Sequence, residues 1–260
     1  MKKRIALVAL ALCLLFTLGA CQGDIQSFFN PPIEGSGNVV EHSTPLPENP
    51  RGYALRVTGL SVRNFGSLKI FVVADESLAD SVAVKTDDNI SEQIIVTVND
   101  KTGEIVVDAA RPRVNLSPSE LTIAADVPVR ALAIDGGWFI RYDCPSVTDC
   151  KAEINGAANG DFAFGFLDSL DVTVNGAGNL TMRGTAQTVN LELNGAANIK
   201  AFDLTARSAS VTIDGAGSCE IAAAERLNAV INGMGDITYD GAPAVSQTIH
   251  GVGTVKQRAQ

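Results

Sequence analysis

The stretch VTVNGAGNLTM (Val172–Met182) sets a short Asn-Gly-Ala-Gly-Asn signature between two alternating runs. The signature recurs down the chain. INGAAN begins at Ile154, VNGAGN at Val174 and LNGAAN at Leu193, followed by IDGAGS at Ile213, INGMGD at Ile231 and IHGVGT at Ile249. A weaker copy, IDGGWF, begins at Ile134. The first glycines are Gly136, Gly156, Gly176, Gly195, Gly215, Gly233 and Gly251, so the steps are 20, 20, 19, 20, 18 and 18 residues. A period of this size marks a solenoid, in which each unit buries its apolar edge only by stacking on its neighbours.

The side-chain period chooses the kind of solenoid. Before the signature, Leu170, Val172 and Val174 alternate with Asp171 and Thr173. The next coils repeat this with Val189, Leu191 and Leu193, then Ala209, Val211 and Ile213. Period two is a strand with one buried face. After the signature a second alternation follows: Leu180 and Met182, Ile199 and Ala201, Cys219 and Ile221, Ile237 and Tyr239. The repeat holds no convincing apolar stripe at helical spacing. A leucine-rich repeat shares the period but carries a longer convex segment and a different Leu/Asn framework. The pattern predicts an all-β fold, a parallel β-helix of 18–20-residue coils.

The signature itself reads as a corner. Gly permits positive φ, and Asn or Asp tolerates the left-handed region while bonding nearby backbone. Stacking then places Asn155, Asn175, Asn194, Asp214, Asn232 and His250 in one column. Asn179, Asn198, Ser218, Asp236 and Thr254 form a second. Asn side chains in register can bond one another up such a stack.

Three features together resemble a known family: GSGN at Gly35–Asn38, LSPSELTI at Leu116–Ile123 and the repeated N-G-A-G-N. They are similar to the bacterial GIN domain, also called the auto-transporter adhesin head domain. The match runs from about Ile33 to Val255. The resemblance implies a right-handed β-helix in an exported or envelope protein. It implies no established enzyme activity, no cofactor and no catalytic residue. IDGGWF, through Gly137-Trp138, and GLSVRNFGS after Thr58 depart from the pattern.

Residues 33–128 are less regular than residues 129–257, and both are expected in a single domain spanning 33–257. Strand-like runs include Tyr53–Val57, Leu68–Ala74, Ile94–Val98, Glu104–Asp108 and Leu121–Ala124. VNDKTGEI reads as a hairpin turn with Gly103 left-handed. This half is expected to close one end of the solenoid, since an open end would be an exposed strand edge.

The N-terminus reads as an export signal. MKKR is cationic, and Ile5–Leu18 is almost wholly apolar but shorter than the ~20 residues of a membrane span. LGAC, ending at Cys21, resembles a bacterial lipobox, which implies cleavage after residue 20 and a diacylglycerol on Cys21. An ordinary secretory signal with a chance Cys is the alternative. Residues 21–32 become the lipidated Cys and a tether. Gln22 rather than Asp follows Cys21, which in enteric bacteria favours the outer membrane. The expected address is the cell envelope, lipid-anchored, with the side of the membrane unassigned.

The net charge of −9 argues against a nucleic-acid partner, because binding phosphates needs a positive field. Cys13 leaves with the signal. In an oxidising compartment Cys144 and Cys150, in DCPSVTDC, can close a small disulfide loop. Cys219 aligns with Leu180 and Ile199 and reads as a small core residue.

Two outward columns remain for function. One is Lys151, Asp171, Asn190, Ser210, Asn228 and Ser246; the other is Glu153, Thr173, Glu192, Thr212, Val230 and Thr248. Asp171, Thr173, Asn190, Glu192, Ser210 and Thr212 form the candidate binding face. Asp171 and Glu192 could approach as a glycosidase pair, but no Arg or Lys is expected to join them from the neighbouring strands in these columns. The corners carry too few carboxylates for calcium, and neither His42 nor His250 is placed as a metal ligand, so neither a metal nor a cofactor is expected. Thr, Ser and Asn offer hydrogen bonds but no nucleophile with a recognisable activating base. The leading expectation is therefore non-catalytic, adhesin-like binding of an extracellular glycan or protein. The alternative is a carbohydrate-active β-helix enzyme, a lyase or hydrolase. Trp138, Arg141 and Tyr142 could hold a sugar ring at the Trp138–Cys150 irregularity, against core packing as the simpler role.

Overall fold

The computed structural model describes residues 33–259 except 50, 59–60, 63–67, 74–79, 110–112, 116–120 and 126. The export signal, Cys21, the tether and the first part of LSPSELTI lie outside the described residues.

The N-terminal part supplies β1 (Ile33–Glu34), β2 (Val39–Pro45), β3 (Tyr53–Val57), β4 (Ser61–Val62) and β5 (Leu68–Val73). It continues with β6 (Ser81–Asp87), a one-turn helix α1 (Asp88–Ser91), β7 (Ile94–Asn99), β8 (Glu104–Ala109), β9 (Arg113–Asn115) and β10 (Leu121–Ala125). The five strand-like runs read from the sequence fall on β3, β5, β7, β8 and β10. Gly103 at φ 70° closes the β7–β8 hairpin, its N–H donating to the Asn99 carbonyl at 2.8 Å.

The regular part begins with β11 (Val129–Ile134), β12 (Gly137–Cys144) and β13 (Asp149–Ile154). Then come β14 (Ala157–Val174), β15 (Ala177–Leu193), β16 (Ala196–Ile213) and β17 (Ala216–Ile231), each long enough to pass from one face of the coil to the other. The array ends with β18 (Met234–Asp240), β19 (Ala244–Ile249) and β20 (Val252–Gln257). Every pairing from β11 onward is parallel, one coil upon the next, giving a β-solenoid of about six turns.

Inward phase follows the period-two reading. Val172, Leu191 and Val211 are at most 1 % exposed, and Leu180, Ile199 and Cys219 line the second face of the core. Tyr142, Phe162 and Phe164 form an internal aromatic cluster, with centroids 5.3–6.3 Å apart. The expected irregularity at IDGGWF does not disturb the coil. Gly137–Cys144 pairs residue for residue with Ala157–Phe164, because Trp138 points inward where Ala158 sits one coil on.

The N-terminal half continues the same stack. β3 pairs in parallel with β11 and β5 with β12, and β8 and β10 extend the two faces by one more strand each. The antiparallel strands β7 on β8 and β6 and β2 beyond β10 then finish this end. GSGN does not occupy the corner column. Gly37 N–H donates to Asp87, while Ser36 and Asn38 side chains donate to the Asp88 carboxylate, fastening the loop to the start of α1.

The corner glycines have a different cause from the one expected. Of the seven first glycines only Gly136 has positive φ, at 103°, and no non-glycine residue has positive φ among the described residues. The requirement is close approach. A Cβ on Gly176 would lie 1.6 Å from the Gly156 carbonyl oxygen, and one on Gly195 would lie 1.7 Å from that of Gly176. Each corner backbone rests directly on the one before it, leaving no room for a side chain.

Candidate binding face

The six residues proposed from the sequence come together on one outer surface. The ladder sets Lys151 beside Asp171, Asp171 beside Asn190 and Asn190 beside Ser210; in the next column Thr173 stands beside Glu192 and Glu192 beside Thr212. Together with Lys151 they line a shallow trough of about 320 Å³. Asn190 and Glu192 are exposed, and the other four are half-buried. Their outward direction follows from alternation, since Val172, Leu191 and Val211 between them fill the core.

Asn190 Nδ2 donates to Asp171 Oδ1 at 2.6 Å, and Asn228 Nδ2 to Ser210 Oγ at 3.4 Å. The trough thus presents carboxylates, amide groups and hydroxyls at the inter-coil spacing of about 4.8 Å. Lys151 corrects the expectation that no cation joins Asp171 and Glu192. It stands next to Asp171 in the same column, one coil before it. Among the described residues no three His, Cys, Asp or Glu side chains gather as a metal site.

A second depression, of about 490 Å³, went unforeseen. It lies toward the ends of β15, β16 and β17, just before the trough residues in chain order, is lined by Val189, Ala209, Leu227, Val245 and Arg226, and shares Asn190 and Ser210 with the first. Inward positions border it, so outward columns alone could not reveal it.

The Trp138–Cys150 segment is built as core. Trp138 is 2 % exposed, with Nε1 donating to the Asp135 carbonyl at 2.9 Å. Tyr142 is fully buried, and its hydroxyl donates to the Val129 carbonyl. Neither ring is available to a sugar, and Arg141 is exposed without them. Cys144 and Cys150 lie at the end of β12 and the start of β13, both buried beside the Tyr142 hydroxyl. Neither is bonded to another cysteine in the structure. Burial pushes the Cys150 thiol up to about 12. Cys219 is buried in the core as expected, and burial raises its thiol too.

Both corner columns form side-chain ladders. Asn194 donates to Asn175, Asn175 to Asn155 and Asn155 to the Asp135 carboxylate, over 2.7–2.9 Å. A separate rung joins Asn232 to Asp214. In the second column Ser218 donates to Asn198, Asn198 to Asn179 and Asn179 to Asn159, while Thr254 donates to Asp236. An ionised carboxylate only accepts. Asp135, Asp214 and Asp236 therefore each stand at the acceptor end of a run.

Stacked parallel coils, amide ladders at a glycine corner and a polar outer trough define a β-solenoid of the adhesin-head type. The chain belongs to the family described as "Putative auto-transporter adhesin, head GIN domain", whose profile matches residues 61–243. Solved structures share the fold. A "putative adhesin" from Bacteroides fragilis is 21 % identical with a TM-score of 0.69, covering 87 % of this chain and 100 % of its own. A "putative adhesin" from Parabacteroides distasonis is 20 % identical with a TM-score of 0.61, covering 87 % and 99 %. A "putative lipid binding protein" from the same organism is 18 % identical with a TM-score of 0.56, covering 88 % and 100 %. No curated protein sequence matches the chain.

Proposed function

We propose that the protein is a lipid-anchored cell-envelope adhesin that holds an extended glycan or peptide along the Lys151–Thr212 trough without turning it over. The observation that carries this reading is the convergence of Asp171, Thr173, Asn190, Glu192, Ser210 and Thr212, from three successive coils, on one open surface. Membership of an adhesin family and the fold of its solved neighbours support it. Each rung offers weak polar contacts, so useful affinity comes from engaging several rungs at once. The anchor is Cys21, lipidated after removal of residues 1–20, with residues 22–32 as the tether to an outer-membrane surface.

Binding to an array of glycans, with and without replacement of Thr173, Glu192 and Thr212 by alanine, tests the face. The proposal expects ligands that the parent retains and the triple variant loses while its fold persists. Glycan cleavage abolished by Asp171→Asn or Glu192→Gln would replace it with the enzyme reading, for which Lys151 beside Asp171 supplies the cation. Radiolabelled palmitate tests the anchor: label on the parent and none on Cys21→Ser is expected, and label retained on Cys21→Ser overturns it.

A further inference from the structure

The two ends of the solenoid differ. At the N-terminal end the last strands reverse direction, with β2 lying antiparallel on β6 and carrying Glu41 and Pro45. At the other end β19 pairs only with β17 and β20 only with β18 among the described residues. Their outer edges present a row of backbone N–H and C=O groups. The core positions of this coil are also uncovered: Val245 is 39 % and Ile249 40 % exposed, whereas Leu227 and Ile231 beneath them are at most 1 %.

This edge is held in place. Thr254 donates its backbone N–H and its hydroxyl to Asp236. Arg258 pairs with Asp240 at 3.5 Å and lies 4.5 Å over the Phe202 ring. A row of polar backbone groups fixed in strand geometry is matched by another strand. Such edges are ordinarily blunted by charge or proline. Ala244–Ile249, AVSQTI, contains neither.

We propose that this edge docks a second copy of the same chain, end to end about a two-fold axis. Antiparallel pairing of β19 with its own copy, centred on Gln247, sets Val245 against Ile249 of the second copy and Ser246 against Thr248. Apolar then meets apolar, polar meets polar, and no charges are opposed. Gln247 and Thr254 stand on either side of the His250–Gly251 corner and equally far from it in sequence. One axis therefore serves both strands. Centred on Thr254, β20 places Lys256 against Val252 of the second copy rather than against another Lys256. Val252 is 73 % exposed in the single chain. A two-fold contact uses the same surface on both partners and closes after two copies.

The test is thiol cross-linking of the full chain as made in cells, with the parent treated alike to account for Cys13 and Cys21. Gln247→Cys, on the axis, should give a covalent dimer and nothing larger, while Val230→Cys, one coil inside, should give no more dimer than the parent. Sedimentation equilibrium in density-matched detergent should show a dimer for the parent and a monomer for Thr248→Lys, with both giving the same strand circular dichroism. A parent that stays monomeric at every concentration would overturn the proposal. So would equal cross-linking at positions 230 and 247. A ladder of larger species would show head-to-tail stacking instead, which also contradicts the two-fold.

Discussion

Asn175 donates its side-chain amide to Asn155 Oδ1 at 2.7 Å and accepts at its own Oδ1 from Asn194 at 2.8 Å. The corner is thus a directional chain of hydrogen bonds running toward Asp135. An Asp within such a chain ends it, because a carboxylate cannot pass a proton donor to the preceding coil. Asp214 makes that break beside Asn194. Asp214→Asn should join the two runs and raise stability by about 0.5–1.5 kcal/mol, toward the low end because the corner is exposed. Asn175→Asp should do the reverse and cost a similar amount. Chemical unfolding midpoints for the pair check this; shifts of the same sign would show that the ladder has no direction.

Stacking sterics predict a much larger effect next to that ladder. Gly176→Ala would place a methyl 1.6 Å from the Gly156 carbonyl oxygen, so the coils must part. A loss of about 3 kcal/mol or more is expected. Gly37→Ala meets no atom within 4 Å and faces only its φ of 82°, a strain of about 1–2 kcal/mol. Thermal unfolding of the two variants separates crowding from backbone strain, and equal losses would contradict the close-approach account.

Strand phase can be tested on adjacent residues. Leu191 is 1 % exposed, so Leu191→Asp would bury a charge without a partner and cost on the order of 3–5 kcal/mol. Glu192 points outward, and Glu192→Thr should leave stability almost unchanged. Matching melting temperatures would show the phase to be reversed.

Acid should act on the last coil through Asp236. The Thr254 hydroxyl, with the backbone N–H of Thr254, holds this carboxyl below its ordinary value of 3.8. A depressed carboxyl stabilises the fold above its unfolded pKa, and that stability is lost as pH falls through the folded value. Thr254→Val should therefore melt earlier than the parent at about pH 5, and the difference should shrink in stronger acid. A difference that grows on acidification would reverse the sign.

Buried thiols should be slow to react. Cys150 is pushed up to about 12 by burial, and Cys219 is raised by the same cause, so neither supplies thiolate near neutrality. Iodoacetamide at about pH 8 should leave both unmodified in the folded protein and label both once it is unfolded without reductant. Failure to label Cys150 after unfolding would place it in a disulfide.

Coil architecture and facing direction were legible because both faces alternate with period two and the signature fixes where each coil turns. Exact columns followed from the glycine spacing, down to Asp171 beside Asn190. The reason for the glycines was not legible. A left-handed turn and a backbone resting on its neighbour both demand glycine, and only coordinates distinguish them. At Trp138 the expected core packing holds, while the expected break in coil geometry does not, because its ring points into the core where Ala158 sits one coil on. The second depression, at Val189 and Leu227, was hidden because it opens beside inward positions. GSGN matched the corner in letters but bonds to Asp87 and Asp88, partners about fifty residues away that the motif cannot specify.

The central claim is that successive coils act as rungs for one extended ligand, and length is its most direct test. Titration calorimetry would use a series of oligomers of increasing length from the glycan or peptide retained on the array. Affinity should rise with each added unit until the chain spans Lys151 to Thr212, then level off, and replacing Thr173, Glu192 and Thr212 together should flatten the rise. An affinity that is already complete for the shortest oligomer, or that keeps its dependence on length in the triple variant, would contradict the account.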